Sequence, residues 1–150
     1  IIASAVFSLV EDDKVKIMEH MEYCRQDRED KNQFLFPSCG CIFKNDYEAG
    51  VPSGLLLDRA NVRDFSAETV EISPYHANFV FNKGASAIDI LETTLKMRDR
   101  VFETFGVWLE YEMQVLGRIP EKLKARLQEK RAPELNEAAL APLRKQFSRE

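Results

Sequence analysis

The sequence predicts an α+β fold: a small, mostly antiparallel or mixed sheet packed with two longer helices and one short helix, followed by a helical C-terminal tail. Three observations carry that expectation. Residues 86–105 repeat apolar side chains at helical spacing, with Ile88, Leu91, Leu95, Val101, Phe102 and Phe105 near one face and Gly106 at the stop. Residues 107–116 alternate instead, with Val107, Leu109, Tyr111, Met113 and Val115 on one side. Trp108, Glu110, Glu112, Gln114 and Leu116 fall on the other, the period of a strand. Short apolar runs at 33–36, 70–72 and 78–82 supply further strands.

The N-terminal stretch 1–10, rich in Ile, Val and Phe, reads as a strand entered partway. The chain opens on Ile1-Ile2 rather than Met, so a fragment of a longer protein or a domain taken alone is expected. Glu11-Asp12-Asp13 then starts a helix with acids where the helix dipole favours them. Val15, Met18, Met21 and Cys24 recur along that helix as its packing positions, and the charged run 25–31 continues it. Pro37 stops the 33–36 strand, and a ligand-facing loop follows. Ser53 is placed to cap a short helix carrying Leu55, Leu56 and Leu57. Ser73-Pro74-Tyr75-His76 makes a turn between the strands at 70–72 and 78–82. Beyond Gly117 the chain becomes charged and Ala-rich, punctuated by Pro120, Pro133 and Pro142, which fits two short surface helices.

With 150 residues the chain can bury one sizeable core. A net charge of −4 with interspersed signs offers no basic footprint, so nucleic acid is not an expected partner. No run of about 20 apolar residues exists, so no membrane span is expected. Three cysteines without a recognisable leader point to reduced thiols and a cytoplasmic setting.

The segment Ser38-Cys39-Gly40-Cys41-Ile42-Phe43-Lys44-Asn45 places a thiol, a cation and an amide within five residues, beside a glycine that allows a tight bend. On residue types alone Cys41 stays open between a small core residue and a reactive thiol. Cys39 with Cys41 is too closely spaced for a zinc knuckle and has no second pair, so no metal site is expected. A general thiol-redox pair ranks last, because no helix-borne Cys-X-X-Cys is present. Glu112 alone reads equally as an exposed carboxylate on a half-buried strand.

Four segments together resemble one family. They are Cys39-Gly40-Cys41-Ile42-Phe43-Lys44-Asn45, then Ser53-Gly54-Leu55-Leu56-Leu57-Asp58-Arg59-Ala60, then Val70-Glu71-Ile72-Ser73-Pro74-Tyr75-His76-Ala77-Asn78-Phe79, then Phe105-Gly106-Val107-Trp108-Leu109-Glu110-Tyr111-Glu112-Met113. In order and spacing they are similar to the substrate-binding C-terminal part of the UDP-N-acetylenolpyruvoylglucosamine reductase (MurB) family, flavoenzymes of bacterial cell-wall precursor synthesis. The resemblance implies residues 1–10 as the end of a flavin-binding region, 11–117 as the substrate-binding domain and 118–150 as a tail of no assigned role.

What the family does is then an expectation for this chain. FAD, reduced by NADPH, delivers hydride to the enolpyruvyl group of a UDP-N-acetylglucosamine substrate, and the adjacent carbon takes a proton. By motif the proton donor is Cys41, where the family usually has Ser, and Glu112 assists the intermediate. Lys44 and Asn45 match phosphate-side contacts, and His76 and Asn78 a substrate-facing loop. FAD and NADPH would be held mainly by a domain this chain lacks, a partner in the same or another chain. A thiol with an ordinary pKa is mostly protonated at neutral pH and able to donate, and Lys44 close by would lower that pKa. A carboxyl group beside a substrate carboxylate would be held protonated. Tyr111 stands where the family has Pro, Gln114 where it has Arg, and residues 60–64 lack the usual glycine. These departures keep a second function open: a non-catalytic UDP-sugar-binding or assembly domain with a degenerate site.

Overall fold

A computed structural model describes residues 2–30, 32, 35–46 and 48–147. The chain divides into two compact units, Ile1–Asn32 and Gln33–Glu150. The first unit holds one helix, α1 (Lys14–Asp30). Asp13 caps it: its Oδ1 accepts the Val15 and Lys16 N–H groups at 3.0 and 3.2 Å. Farther along, Arg25 pairs with Glu22 and Glu29 one turn away. None of its side chains is buried, which corrects the expected packing role of Val15, Met18, Met21 and Cys24. The physical reason lies in the sequence, because the apolar residues are scattered around the helix rather than gathered on one stripe.

Residues 2–10 form no strand, against expectation. Apolar β-formers make a strand only when a neighbour supplies the ladder, and no pairing to them is present among the described residues.

The second unit runs α2 (Ser53–Arg59), a 3₁₀ turn (Val62–Phe65), β1 (Val70–Ile72), β2 (Val80–Asn82), α3 (Ala87–Phe105), α4 (Glu121–Gln128) and α5 (Glu137–Phe147). β1 and β2 pair antiparallel, with Glu71 opposite Phe81. Single antiparallel bridges extend that pairing from Phe79 to Cys41 and from Phe43 to Tyr111. The α+β expectation stands, with the ordered sheet smaller than anticipated. Of the 33–36 strand, residues 33 and 34 lie outside the described residues, and Leu35 and Phe36 form a bend. The loop at 41–43 is in turn more strand-like than expected, with Ile42 and Phe43 fully buried.

α3 shows why its sequence was readable. Ser86 and Asp89 form a reciprocal capping box, and Gly106 ends the helix at φ 69°, a left-handed conformation. A Cβ at Gly106 would also meet the Glu134 carbonyl at 1.7 Å, so the tail crosses directly over this residue. Asn61 takes the left-handed conformation after α2, at φ 55°, which asparagine adopts more readily than most residues.

The main core joins Leu56 and Leu57 of α2, Val70 and Ile72 of β1, Met97 and Val101 of α3, and Leu109. Leu140 and Leu143 of α5 belong to the same core. Leu123 of α4 packs with Leu91 and Leu95 of α3. The tail is therefore docked, not a solvated appendage. Residues 107–116 pair at one bridge only and do not form the long strand expected. Trp108, expected beside Glu110 on the outer side, is only 9% exposed. The tail and α3 cover it: its indole N–H donates to the Glu129 carbonyl at 3.0 Å, and Arg98 of α3 and Arg131 of the tail stack over its ring.

Candidate active site

Gly40, at φ 80°, turns the chain into the segment that carries Cys41. That segment is held on both sides. On one side, Ile42 donates to the Asn78 carbonyl at 2.9 Å. On the other, Glu112 donates to the Ile42 carbonyl at 2.8 Å and Lys44 to the Glu110 carbonyl at 2.9 Å. Two segments almost seventy residues apart in sequence thus fix Cys41 and Glu112 in one neighbourhood.

The electrostatics agree with that proximity. Burial raises the Cys41 thiol above its ordinary pKa, and the charges of Glu112 and Cys39 raise it further. The thiol is the form present at neutral pH, so a proton is available. The expected opposing effect of Lys44 does not arise. Its ammonium instead faces Glu110, with Nζ 3.3 Å from Oε2 in a solvent-exposed pair. Glu112 is exposed.

Cys41 lines a cavity of about 510 Å³ together with Asn45, Gly54, Asp58, Arg63, His76 and Asn78. Four of the six residues singled out from the sequence therefore meet in one cavity. Lys44 lies instead on a neighbouring cleft of about 620 Å³ bordered by Glu110, Trp108 and the tail, and Asn45 borders both.

Asn45 and Asn78 have internal duties. The Asn45 Oδ1 accepts the Ser53 N–H at 3.0 Å, and the Ser53 hydroxyl donates to the Lys44 carbonyl. Ser53 is thus the first residue of α2 rather than its cap; Asn45, eight residues back, satisfies the open amide. Asn78, 2% exposed, spends both amide atoms on the Phe43 backbone.

His76 stacks on Phe79 with ring centroids 4.4 Å apart. Its Nδ1 accepts the Asn78 N–H at 3.3 Å, which leaves the ring proton on Nε2 in the neutral form. The ring lies against Gly54, where a Cβ would come within 3.0 Å of Cε1. Arg63 was not anticipated. It pairs with Asp58 and donates to the Ser73 and Pro74 carbonyls at 3.1 and 3.2 Å, pinning the loop that carries His76. The only hint in sequence was the five-residue spacing from Asp58. Tyr111 stacks on Phe43 at 4.9 Å and its hydroxyl lies 3.3 Å from Thr94 Oγ1, so the residue replacing proline is built into the packing. Among the described residues no group of His, Cys, Asp or Glu is arranged to hold a metal ion, and no helix is long and apolar enough to cross a membrane.

Residues 30–116 match the family described as UDP-N-acetylenolpyruvoylglucosamine reductase, C-terminal domain. The reductase of that name from Treponema pallidum (strain Nichols) is 40% identical over 118 residues, 78% of this chain and 33% of the relative. Its counterpart from Syntrophobacter fumaroxidans is 44% identical over 87 residues, 57% of this chain and 24% of the relative. The crystal structure of the MurB reductase from Thermus caldophilus superposes with a TM-score of 0.55 at 31% identity, covering 73% of this chain and 38% of that one. The chain spans about a third of the length of these relatives. The chain belongs to the family of UDP-N-acetylenolpyruvoylglucosamine reductase C-terminal domains.

Proposed function

We propose that this chain is the substrate-binding and proton-donating part of a UDP-N-acetylenolpyruvoylglucosamine reductase. In this reading 11–117 act as the substrate domain and 1–10 end a flavin-binding region. The observation that carries it is the pairing of 41–43 with 110–112, which puts a protonated Cys41 beside Glu112 and on a cavity.

The reductase reaction needs FAD and NADPH, and the cavity at Cys41 does not fit a flavin's phosphates. The cavity at Cys41 has one cation, Arg63, whose guanidinium is spent on Asp58 and two carbonyls. The space above its one glycine, Gly54, is filled by the His76 ring. In this reading both cofactors are held mainly by residues outside this chain, in the same or another polypeptide.

The part played by this chain is proton delivery and orientation. Once hydride has added to the vinyl methylene carbon, the neighbouring carbon carries an electron pair. The Cys41 S–H bond breaks, its proton joins that carbon, and the thiolate is reprotonated from water. Burial, reinforced by the charge of Glu112, holds Cys41 as the thiol between turnovers. Asn45 still has its amide N–H groups for a substrate phosphate, with Lys44 as the nearby cation. His76 borders the same cavity as Cys41, on the loop expected to face the substrate.

The test is turnover of the full-length protein with the enolpyruvyl substrate. Cys41→Ala is expected to lose about 10²–10⁴ in rate, the usual worth of a placed general acid. Cys41→Ser is expected to retain partial activity. Equal rates for all three proteins would sink the reading and favour a binding domain with a degenerate site.

A further inference from the structure

The stretch 48–52 leads into Ser53, whose N–H donates to the Asn45 Oδ1 at 3.0 Å. The far end of that stretch is gripped by the C-terminal tail. Arg144 of α5 donates through Nε to the Ala49 carbonyl at 2.7 Å. The same guanidinium is oriented by Glu137, with Nη1 to Oε2 at 2.6 Å. Gly50, at φ 66°, lies under it so closely that a Cβ would be 3.3 Å from Nε. Beneath the contact, Ala49 and Val51 share the core with Leu140 and Leu143 of α5. A second tie joins Arg59 at the end of α2 to Gln146 at 3.2 Å.

We infer that α5 is an in-chain brace for the candidate site, with Arg144 the positioning residue that fixes the stretch 48–52 leading into α2. α5 lies outside residues 30–116, the stretch matched by the family. Without the brace, 48–52 would be a surface connection with its amides exchanging by local opening. With it, the Asn45 side chain is held against α2 at the border of both cavities. The consequence for substrate rests on the phosphate-side role proposed above for Asn45; the brace itself does not.

Amide hydrogen exchange in the intact protein carrying this chain separates the two. The readouts are the Ser53 N–H, whose acceptor is Asn45, and the Met97 N–H in the core of α3. Arg144→Ala is expected to speed Ser53 exchange about tenfold with Met97 little changed, the mark of local rather than global opening. Arg144→Lys, which keeps one donor, is expected to restore part of the protection. Unchanged Ser53 exchange in Arg144→Ala overturns the brace. So does a rise matched by Met97, which would reduce Arg144 to general stability. The phosphate-side role is tested apart from this, by the UDP-sugar affinity of Asn45→Ala.

Discussion

Asn78 grips both polar groups of the Phe43 backbone, accepting its N–H at 2.9 Å and donating to its carbonyl at 2.8 Å. One side chain replaces a strand neighbour at the point where β2 gives way to a single bridge. The amide is suited to this because it carries a donor and an acceptor side by side.

Asn78→Ala is therefore expected to leave two buried backbone groups unpaired and to cost about 2–6 kcal/mol, from about 1–3 kcal/mol for each. Urea unfolding measures it. Asn78→Asp gives a sharper check. An ionised carboxylate accepts from the Phe43 N–H but repels its carbonyl, whereas a protonated one donates to it. The Asp variant should regain stability as pH falls, when the native site takes up the proton. A stability that drops with pH in parallel with wild type would show that the clamp is not the source of the loss.

The Cys41 thiol sets a second expectation. Burial, then Glu112, then Cys39 hold it above the ordinary thiol value. The unfolded thiol ionises first as pH rises, so between the two values the folded state holds more protons. Its contribution to stability is thus complete below the ordinary thiol pKa and is lost as pH climbs through the raised one. Alkylation of Cys41 against pH, read by fragment mass spectrometry, should show a midpoint above that of a free cysteine. Glu112→Gln should move the midpoint down, and Cys39→Ser should move it by less. An unmoved midpoint in Glu112→Gln would mean that the carboxylate does not act on the thiol.

Local signals explain what the sequence disclosed. Ser86, Asp89 and Gly106 mark the ends of α3 by chemistry confined to a few neighbours, and that helix is where it was expected. Cys41 and Glu112 are another case. No periodicity links residues this far apart, and only the four ordered motifs brought them together. What stayed hidden was long-range. The Trp108 position alternates correctly for an outward residue, yet the tail carbonyl of Glu129 and two arginines cover it. The duties of Asn45 and Asn78 toward Ser53 and Phe43 are likewise set by tertiary contact, which spacing does not encode.

Arg98 is the extreme of that class, since an arginine in an amphipathic helix reads as a surface residue. It is 1% exposed, with its guanidinium 4.1 Å from the Trp108 ring centre and 4.8 Å from that of Tyr111. Burial lowers its pKa from the ordinary arginine value. Two of its nitrogens donate to the Arg126 and Leu127 carbonyls at 2.5 and 3.3 Å, the open end of α4. Those bonds hold α4 to α3 beside Leu123. Arg98→Met keeps much of the apolar stem but abandons both carbonyls, so a loss of about 2–3 kcal/mol is expected. The loss should be directional: α4 should loosen before the main core does. Limited proteolysis should then cut first within 118–133 in Arg98→Met, while the segments that carry Cys41 and Glu112 stay protected. Cleavage spread evenly over the second unit would instead make Arg98 a support of the whole domain rather than the cap that docks α4.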